Sequence, residues 1–248
     1  MSYEGKVVIV TGAGGGMGSE IVSKLLSENA NVIGLDISLK GIEHVHHPHL
    51  RKEELDLLDE SKVKQIFQSI FEEYGKIDGL VNIAGIAQAS TPIENVSLDE
   101  WNKLIGINAT GVFLTCKEAV YHMKKNSSGA IVNVGSVSVT RPRPGLQSYI
   151  ASKGAMEAFS RALAIEVAPV KIRVNVLHPG PAETKMLPKF SSTEQQEGGL
   201  SLDDFKQSVP LGELVHPSDI AEAVHYLLSD GAKMVTGIAL HVDGGRNL

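Results

Sequence analysis

Tyr149 and Lys153 stand four residues apart in a segment whose apolar spacing predicts a helix that extends to residue 168. Side chains at that separation share one helical face, so the predicted helix brings a phenol and an ammonium group together. A phenol with its ordinary pKa near ~10 transfers protons poorly at neutral pH, but a neighbouring ammonium lowers that pKa. The pair therefore predicts a general acid or base. An ordinary amphipathic helix with a solvated lysine is the alternative.

Ser136 precedes Tyr149 by thirteen residues and adds a hydroxyl group. It follows the apolar run 129–134, which predicts a buried strand. A serine at the end of this strand can hydrogen-bond the same substrate oxygen as Tyr149 and hold it for proton transfer. We therefore expect Ser136 beside Tyr149 at the substrate.

Arg141 and Arg143 lie on the proline-rich loop between Ser136 and Tyr149. That loop is expected to border the substrate pocket, where an arginine can recognise a carboxylate, sulfonate or phosphate group. The alternative is two solvated arginines on a stiffened loop.

A glycine turn follows the first predicted strand, residues 6–10, which is largely β-branched and is expected in a parallel sheet covered on both faces. Gly12, Gly16 and Gly18 allow the backbone to turn sharply and to approach a pyrophosphate, and helical apolar spacing follows to residue 29. A strand, a glycine turn and a helix N-terminus together form an anion site. A flexible surface turn is the alternative.

Asp36 ends a second predicted strand, residues 32–35, and lies eighteen residues after Gly18. A carboxylate there accepts hydrogen bonds from both hydroxyls of an adenosine ribose and repels a 2′-phosphate. The neighbouring turn residues offer no arginine or lysine for phosphate recognition. The sequence therefore predicts NAD (NADH) as the cofactor.

The stretch Thr11-Gly12-Ala13-Gly14-Gly15-Gly16-Met17-Gly18, followed later by Ser136 and Tyr149-x-x-x-Lys153, resembles the short-chain dehydrogenase/reductase superfamily over essentially the whole chain. The resemblance implies an α/β fold with a single Rossmann-like domain over residues 1–248. In this fold a doubly wound parallel sheet of about seven strands has helices on both faces. It further implies reversible hydride transfer between a nicotinamide and a secondary alcohol or its ketone.

The resemblance also implies roles for residues that local pattern does not assign. Asn108, in the predicted helix 101–123, is either a buried packing amide or the residue that holds a water between Lys153 and solvent, and Lys153 is expected to grip the nicotinamide ribose. Asp56 and Leu57, in a predicted third strand 54–57, border the adenine, although Asp56 is alternatively the cap of helix 61–74. The candidate cofactor-binding residues are Gly12, Gly16, Met17, Gly18, Asp36, Asp56, Leu57, Asn82, Ala84, Gly85, Tyr149, Lys153, Pro179, Gly180 and Thr184.

Two of these motifs depart from the family pattern. Ile83 replaces the second asparagine of Asn-Asn-Ala-Gly, which puts one hydrogen bond that supports the sheet in question. Ala182, between Gly180 and Thr184, replaces a bulkier β-branched residue, which puts a backbone contact in question.

Composition restricts the remaining possibilities. The chain has 248 residues, 42% of them hydrophobic, which suffices for the core of one domain. A net charge of −6 without a basic stripe argues against a nucleic-acid partner. The single Cys116 fits a reducing compartment, and neither a signal-peptide pattern nor an apolar run of ~18 residues is present, so a cytoplasmic protein without a membrane partner is expected.

Three other segments lead to further expectations. His44, His46, His47 and His49 lie close together but without helical spacing or acidic partners, so a solvated loop and no metal site are predicted. Residues 185–210 have little periodicity and predict a lid over the substrate. The apolar stripe of the last helix and strand, with the resemblance, implies a homotetramer.

Three functions remain open. The first is an NAD-dependent dehydrogenase for a small polar, sugar-like or cyclic secondary alcohol. The second is a 3-oxoacyl-thioester reductase, a class that usually takes NADPH and is therefore disfavoured by Asp36. The third is a non-catalytic NAD-sensing protein, which the joint presence of Asn108, Ser136, Tyr149 and Lys153 disfavours.

Overall fold

The computed structural model describes residues 3–190 and 201–248. Within these residues, seven parallel strands form one sheet. The strands are β1 (Val7–Thr11), β2 (Asn31–Asp36), β3 (Leu50–Glu54), β4 (Gly79–Asn82), β5 (Gly129–Val134), β6 (Ile172–Pro179) and β7 (Ala239–Val242). The central strands are buried on both faces, as their β-branched runs predict.

The strand order is β3-β2-β1-β4-β5-β6-β7, so the chain starts in the middle of the sheet, builds one edge and then returns to build the other. The turns after β1 and β4 consequently lead to opposite sides of the sheet. This divergence opens a crevice at the carboxyl ends of the two strands, which is where ligands bind in sheets of this kind. The predicted doubly wound α/β fold is confirmed.

Helices cover both faces of the sheet and enclose two hydrophobic layers. They are α1 (Gly16–Ser27), α2 (Glu60–Tyr74), α3 (Leu98–Ile105), α4 (Gly111–Asn126), α5 (Gln147–Val167), α6 (Leu202–Gln207) and α7 (Pro217–Leu228). One layer contains the apolar side chains of α2, α4 and α5, and the other contains those of α1 and α7. The rigid sheet between these layers positions the loops at its carboxyl edge.

The third strand was predicted wrongly, at 54–57 instead of Leu50–Glu54. The observed strand lies at the sheet edge, where it pairs only with β2, and four of its five residues are partly exposed. Edge strands tolerate charged side chains, so Leu-Arg-Lys-Glu-Glu carries no apolar signature. The alternative role of Asp56 as a cap is also wrong, because the Asp59 carboxylate accepts the hydrogen bond from the Lys62 N–H at the start of α2.

The predicted helix 101–123 is helical throughout but not regular. A π-helical turn, Gly106–Thr110, joins α3 to α4, and Asn108 lies at its centre. Such insertions are frequent at functional sites.

In the predicted lid, residues 191–200 lie outside the described residues, and the flanks contain a 3₁₀ turn at Leu187–Phe190 and helix α6.

None of the described helices is long and apolar enough to cross a bilayer. Residues 3–190 and 201–248 contain no group of three or more His, Cys, Asp or Glu residues arranged to hold a metal ion. In the histidine-rich loop, the ring of His49 contacts Asn31 at 3.0 Å.

Candidate active site

A cleft of about 600 Å³ lies over the carboxyl ends of the central strands. Of the residues predicted from sequence, it brings together those of the glycine turn, the serine and tyrosine motif and the Pro-Gly turn. These lining residues are Gly12, Gly16, Met17, Gly18, Gly85, Ser136, Arg143, Tyr149, Lys153, Pro179, Gly180 and Thr184. The fold therefore joins motifs from the whole length of the chain in one space.

Helix α5 presents Tyr149 and Lys153 to this cleft from its first two turns, and both side chains are buried. The N–H of Tyr149 belongs to the first turn, where helical N–H groups have no intrahelical partner. It donates a 2.9 Å hydrogen bond to Oε1 of Gln88, which lies in the loop after β4. Gln88 therefore fixes the start of α5, a role that the sequence pattern did not reveal.

Lys153 is held by the end of β5 rather than by an acid. Its Nζ donates a 2.8 Å hydrogen bond to the carbonyl of Val134, and the described residues supply no carboxylate within ion-pair distance. Burial lowers the pKa of this lysine to about 8. Lys153 therefore releases its proton closer to neutral pH than an ordinary lysine does.

The pKa of Tyr149 differs from the sequence-based expectation. Burial raises it, while a hydrogen bond with Ser136 and the charge of Arg143 act in the opposite direction. The expected lowering by Lys153 is not found, because that ammonium is directed to the Val134 carbonyl. The cation that acts on the Tyr149 pKa is instead an arginine of the loop before α5.

Ser136 follows β5 and is fixed through both its backbone and its side chain. Its N–H donates a 2.8 Å hydrogen bond to Nδ1 of His178, and its Oγ accepts one of 3.1 Å from the N–H of Ser138. Since Nδ1 of His178 accepts, the proton of the neutral ring is on Nε2, which lies 3.0 Å from Oε2 of Glu157. His178 and Glu157 were not predicted from the sequence, because they lie 42 and 21 residues from Ser136 and are joined only in the fold.

The glycine turn packs closely against the loop after β4 and leaves no room for a side chain at Gly12. At Gly12, with φ +68°, an added Cβ would stand 2.6 Å from the backbone N of Ala84. Gly16, at the start of α1, lies next to Thr184, whose Cγ2 would be 3.5 Å from such an atom. The cleft at this point is therefore walled by bare backbone and by a helix N-terminus, which is the arrangement that fits a dinucleotide pyrophosphate.

Asp36, at the carboxyl end of β2, accepts hydrogen bonds from two backbone N–H groups. Oδ2 accepts from Gly14 at 2.9 Å and Oδ1 from Ser38 at 3.0 Å. The carboxylate therefore joins the glycine turn to the loop after β2, at the position where the ribose of an adenosine is expected.

Asn108 uses its amide to hold the loop after β4. Its Oδ1 accepts from the Ile86 N–H at 2.9 Å, and its Nδ2 donates to the Ile86 carbonyl and to Oγ of Ser152, each at 3.0 Å. A Cβ at Gly85 would stand 3.0 Å from Oδ1 of Asn108 and 3.3 Å from Nζ of Lys153. Asn108 and Lys153 thus converge on the same piece of backbone.

Several predicted residues lie outside the cleft lining. The Asn82 amide is committed to the interior, where it donates to Oδ1 of Asn133 at 2.9 Å and accepts from Thr115 at 2.8 Å. This network supports the sheet, and Ile83 contributes to the cleft lining and the core instead. Asp56 is exposed, and Leu57 is buried in the core beside Gly111.

The Pro-Gly turn after β6 lies as predicted. Gly180 leaves no room for a side chain, since its Cβ would be 2.8 Å from Cα of Asp243. Ala182 is buried and lines the cleft, and its neighbour Glu183 donates its N–H to the Val215 carbonyl at 3.0 Å. The small side chain at 182 therefore still places the backbone of this turn at the cleft.

The two predicted arginines separate. Arg143 lines the cleft, with its guanidinium 5.1 Å from the ring centre of Phe205. Arg141 is exposed, and its Nη1 donates a 2.9 Å hydrogen bond to the carbonyl of Arg246. Arg246 lines the cleft in its place, a residue that the sequence did not single out because it lies 105 positions from Arg141.

Comparisons with known proteins agree with this geometry. The family described as enoyl-(acyl carrier protein) reductase matches residues 12–247. A 2,3-dihydro-2,3-dihydroxybenzoate dehydrogenase of Bacillus subtilis is 35% identical over 99% of this chain and 97% of its own. A 3-oxoacyl-[acyl-carrier-protein] reductase of Salmonella typhimurium is 37% identical over 99% and 98%.

Among solved structures, the 3-ketoacyl-(acyl-carrier-protein) reductase of Brucella melitensis complexed with NADH matches with a TM-score of 0.92 and 37% identity over 100% of both chains. The two relatives and the Brucella protein are named as dehydrogenases or reductases and match over nearly the full length of this chain, and the Brucella structure contains NADH. The chain belongs to the short-chain dehydrogenase/reductase superfamily.

Proposed function

We propose that this chain is an NAD-dependent dehydrogenase that interconverts a small polar, sugar-like or cyclic secondary alcohol and its ketone. The observation that carries the proposal is that the buried Tyr149 and Lys153 line the same cleft as Ser136 and the glycine turn. A proton-transfer group, an oxygen-holding group and a dinucleotide cradle therefore face one space.

A nicotinamide held in this cleft would supply the hydride chemistry, as acceptor or as donor. Tyr149 exchanges the proton of the substrate hydroxyl, and Ser136 holds the reacting oxygen. Both side chains line the cleft, and Ser136 is close enough to lower the pKa of Tyr149, which supports a common target. Burial favours the protonated phenol, so positive charge is needed to produce the phenolate, and Arg143 provides it from the neighbouring loop.

Lys153 binds the ribose of the nicotinamide half and shares protons with Tyr149, and Asn108 connects this relay to solvent through a water. The convergence of both side chains on Gly85 supports this assignment. The lowered pKa of Lys153 also suits a group that exchanges protons near neutral pH.

The preference for NAD rests on Asp36. Its carboxylate lies between the glycine turn and the loop after β2, where it accepts the ribose hydroxyls and repels a 2′-phosphate. The proposed cofactor-binding set includes Asp56 and Leu57, which follow β3, and Asn82 and Ala84, at and after the end of β4, each through its backbone.

A 3-oxoacyl-thioester reductase is the second candidate, favoured by the family description and by the Salmonella relative. The use of NAD does not decide against it, since a 37% identical 3-ketoacyl reductase forms a complex with NADH. The Bacillus relative, by contrast, is named for a substrate with hydroxyl groups on a ring that carries a carboxylate. The two candidates differ in whether the substrate is a small alcohol or a long acyl thioester.

The test is a screen of polyols, hydroxy acids, cyclic alcohols and a 3-oxoacyl thioester with NAD and NADP, read as cofactor absorbance. Turnover of small alcohols with NAD supports the proposal, and turnover of the thioester alone supports the second candidate. NAD binding without turnover of any substrate supports a non-catalytic sensor.

We also propose that the protein is a cytoplasmic homotetramer. Apolar side chains near α7 and β7 are exposed, with Met234 at 88% and Ile238 at 40%, and a neighbouring copy would cover them. Light scattering at micromolar concentration tests this, and a 26.5 kDa particle would exclude it.

We also propose that residues 185–210 form a lid over the substrate. Phe190 and Phe205, which lie in the described flanks of this segment and line the cleft, support the proposal.

A further inference from the structure

Arg246 is a buried cation whose guanidinium forms no ion pair with a carboxylate of the described residues. Its side chain belongs to a residue that is only 8% exposed, and it lines the cleft. Nη1 of its guanidinium has no hydrogen-bond partner within residues 3–190 and 201–248. A buried charged group that lacks a partner is costly, so it indicates a missing ligand.

Arg143 brings a second positive charge to the same place. It lines the cleft beside Phe205, and it too forms no ion pair with the described residues. Burial, followed by the charges of Arg141 and Arg143, lowers the pKa of Arg246 to about 10, although the negative charge of Asp243 acts in the opposite direction. The three arginines therefore repel one another in a partly desolvated region, and a bound anion would relieve that repulsion.

The acids near this cluster are already occupied. The Asp243 carboxylate accepts hydrogen bonds from the N–H groups of Gly245 and Asn247, each at 2.9 Å, and so shapes the turn that carries Arg246. Glu183, which also lines the cleft, faces His216 at 3.1 Å. Neither carboxylate hydrogen-bonds the Arg246 guanidinium.

The position of the pair selects the kind of anion. Arg143 and Arg246 line the same cleft as Ser136 and Tyr149, so an anion held by the pair shares that space with the reacting carbon of the substrate. A carboxylate on a compact substrate meets that requirement, and it matches the planar guanidinium fork. A phosphate at the end of a long acyl-carrier arm would instead lie far from Tyr149.

We propose that Arg143 and Arg246 bind a carboxylate carried by the substrate, while Arg141 positions Arg246 through its carbonyl. This inference rests on the proposed dehydrogenase function and narrows its substrates to secondary alcohols and ketones that bear a carboxylate group. Arg246 is the specificity-determining residue, because its guanidinium is buried in the cleft and has the free donor.

The experiment measures binding without turnover. Benzoate and the neutral, isosteric benzamide are titrated by calorimetry into the protein, alone and loaded with NADH. We expect benzoate to bind at least about tenfold more tightly than benzamide, since hydrogen bonds to charged groups are the stronger ones. Arg246→Gln and Arg143→Gln should each remove that preference and leave the affinity for NADH within about threefold.

Matched variants separate the site from general effects. Arg51→Gln removes an arginine at the sheet edge that is paired with Glu53 and Glu73, and it should keep the benzoate preference. Arg246→Lys keeps the charge without the fork; it replaces Arg246→Gln if that variant fails to fold and should retain part of the preference.

Equal affinity for benzoate and benzamide in the wild type, or a preference that survives both glutamine variants, would overturn the proposal. Tighter binding of pantetheine 4′-phosphate than of benzoate, lost in Arg246→Gln, would overturn the carboxylate assignment. Failure of NADH to bind would refute the dehydrogenase function. The two outcomes are distinguishable, because the benzoate titrations without NADH test the arginine pair independently.

Discussion

The backbone N–H of Ser136 donates a 2.8 Å hydrogen bond to Nδ1 of His178, a buried ring whose Nε2 faces Glu157 at 3.0 Å. Since Ser136 is proposed to hold the reacting oxygen, this ring sets the position of a catalytic hydroxyl from the neighbouring strand. An added Cβ at Gly135 would stand 2.5 Å from the same ring, so the chain before Ser136 is shaped to admit it.

Removal of the acceptor at His178 should therefore impair turnover. We expect His178→Phe to lower kcat about 10- to 100-fold with the KM for NAD changed less than about threefold, because the serine hydroxyl loses its alignment. His178→Asn should restore part of kcat, since its Oδ1 can accept the same N–H. His122→Phe removes another buried histidine, stacked on Phe71, and serves as the control. Unchanged kcat in His178→Phe would contradict the positioning role.

We expect His178 to make the protein less active and less stable at acid pH. Burial lowers the pKa of His178 from its ordinary 6.5, so the ring stays neutral through neutral pH and is protonated only in more acid solution. Once protonated, Nδ1 cannot accept from Ser136. The unfolded chain takes up this proton first, so the melting temperature should fall as the pH drops below about 6.5, whereas kcat should fall only at the more acid pH where the ring is protonated in the folded protein. A profile that does not change between wild type and His178→Asn would contradict this origin.

Tyr149→Phe removes the proposed proton-transfer group while keeping the ring that contacts Phe190. We expect kcat to fall about 10²- to 10⁴-fold, the range typical of a positioned general acid or base. The affinity for NAD should stay within a few-fold of the wild-type value. Fluorescence titration with NADH and steady-state rates measure the two effects. Tyr121→Phe, at an exposed tyrosine, is the control, and retained activity in Tyr149→Phe would overturn the assignment.

Lys153→Met should abolish turnover and yet stabilise the protein. Below pH 8 the lysine is charged in both folded and unfolded chains, and the desolvation penalty is fully present. Between pH 8 and 10.5 the folded protein releases the proton first, so the penalty fades as the pH rises.

The gain in melting temperature should consequently be largest at pH 6 to 7, on the order of 2–4 °C per kcal/mol relieved, and should vanish near pH 10.5. Thermal unfolding across this range measures it, with Lys64→Met at an exposed position as the control. A destabilised variant at neutral pH would show that the bond to the Val134 carbonyl outweighs burial.

Asp36→Ala should weaken the preference for NAD. The variant loses the acceptor for the ribose and the repulsion of a 2′-phosphate, so kcat/KM should fall about tenfold with NAD and rise with NADP. Asp36→Asn keeps one acceptor oxygen, and so one of the two hydrogen bonds from the Gly14 and Ser38 N–H groups, which helps to separate lost charge from a disturbed turn. Glu43→Gln changes the charge of an exposed neighbour only, and an unaltered ratio in Asp36→Ala would remove Asp36 from cofactor selection.

The local sequence pattern was sufficient to predict an element where that element is apolar and bounded by glycine or proline. It identified β5 with its bounds, placed Tyr149 and Lys153 on one helical face, and located the glycine turn. It failed at β3, because an edge strand of charged residues has no apolar period.

Contacts between distant segments could not be predicted from the sequence. Gln88 caps α5 from 61 residues away, and Arg246 reaches the cleft only because the last strand lies beside β6. Neither contact produces a periodic pattern in the amino-acid sequence, since each depends on how the strands are ordered in the sheet.

The π turn at Gly106–Thr110 carries one surplus residue within an otherwise regular helix. Regular winding advances about 100° per residue, so removal of that residue would rotate Asn108 away from Ile86 or shift the whole of α4 around its axis. The protein therefore retains a locally less favourable helical turn. Its irregularity lets one face of α4 pack on the sheet while the amide of Asn108 still hydrogen-bonds the loop at Ile86. A sequence engineered for ideal helicity across this stretch would lose that simultaneous fit.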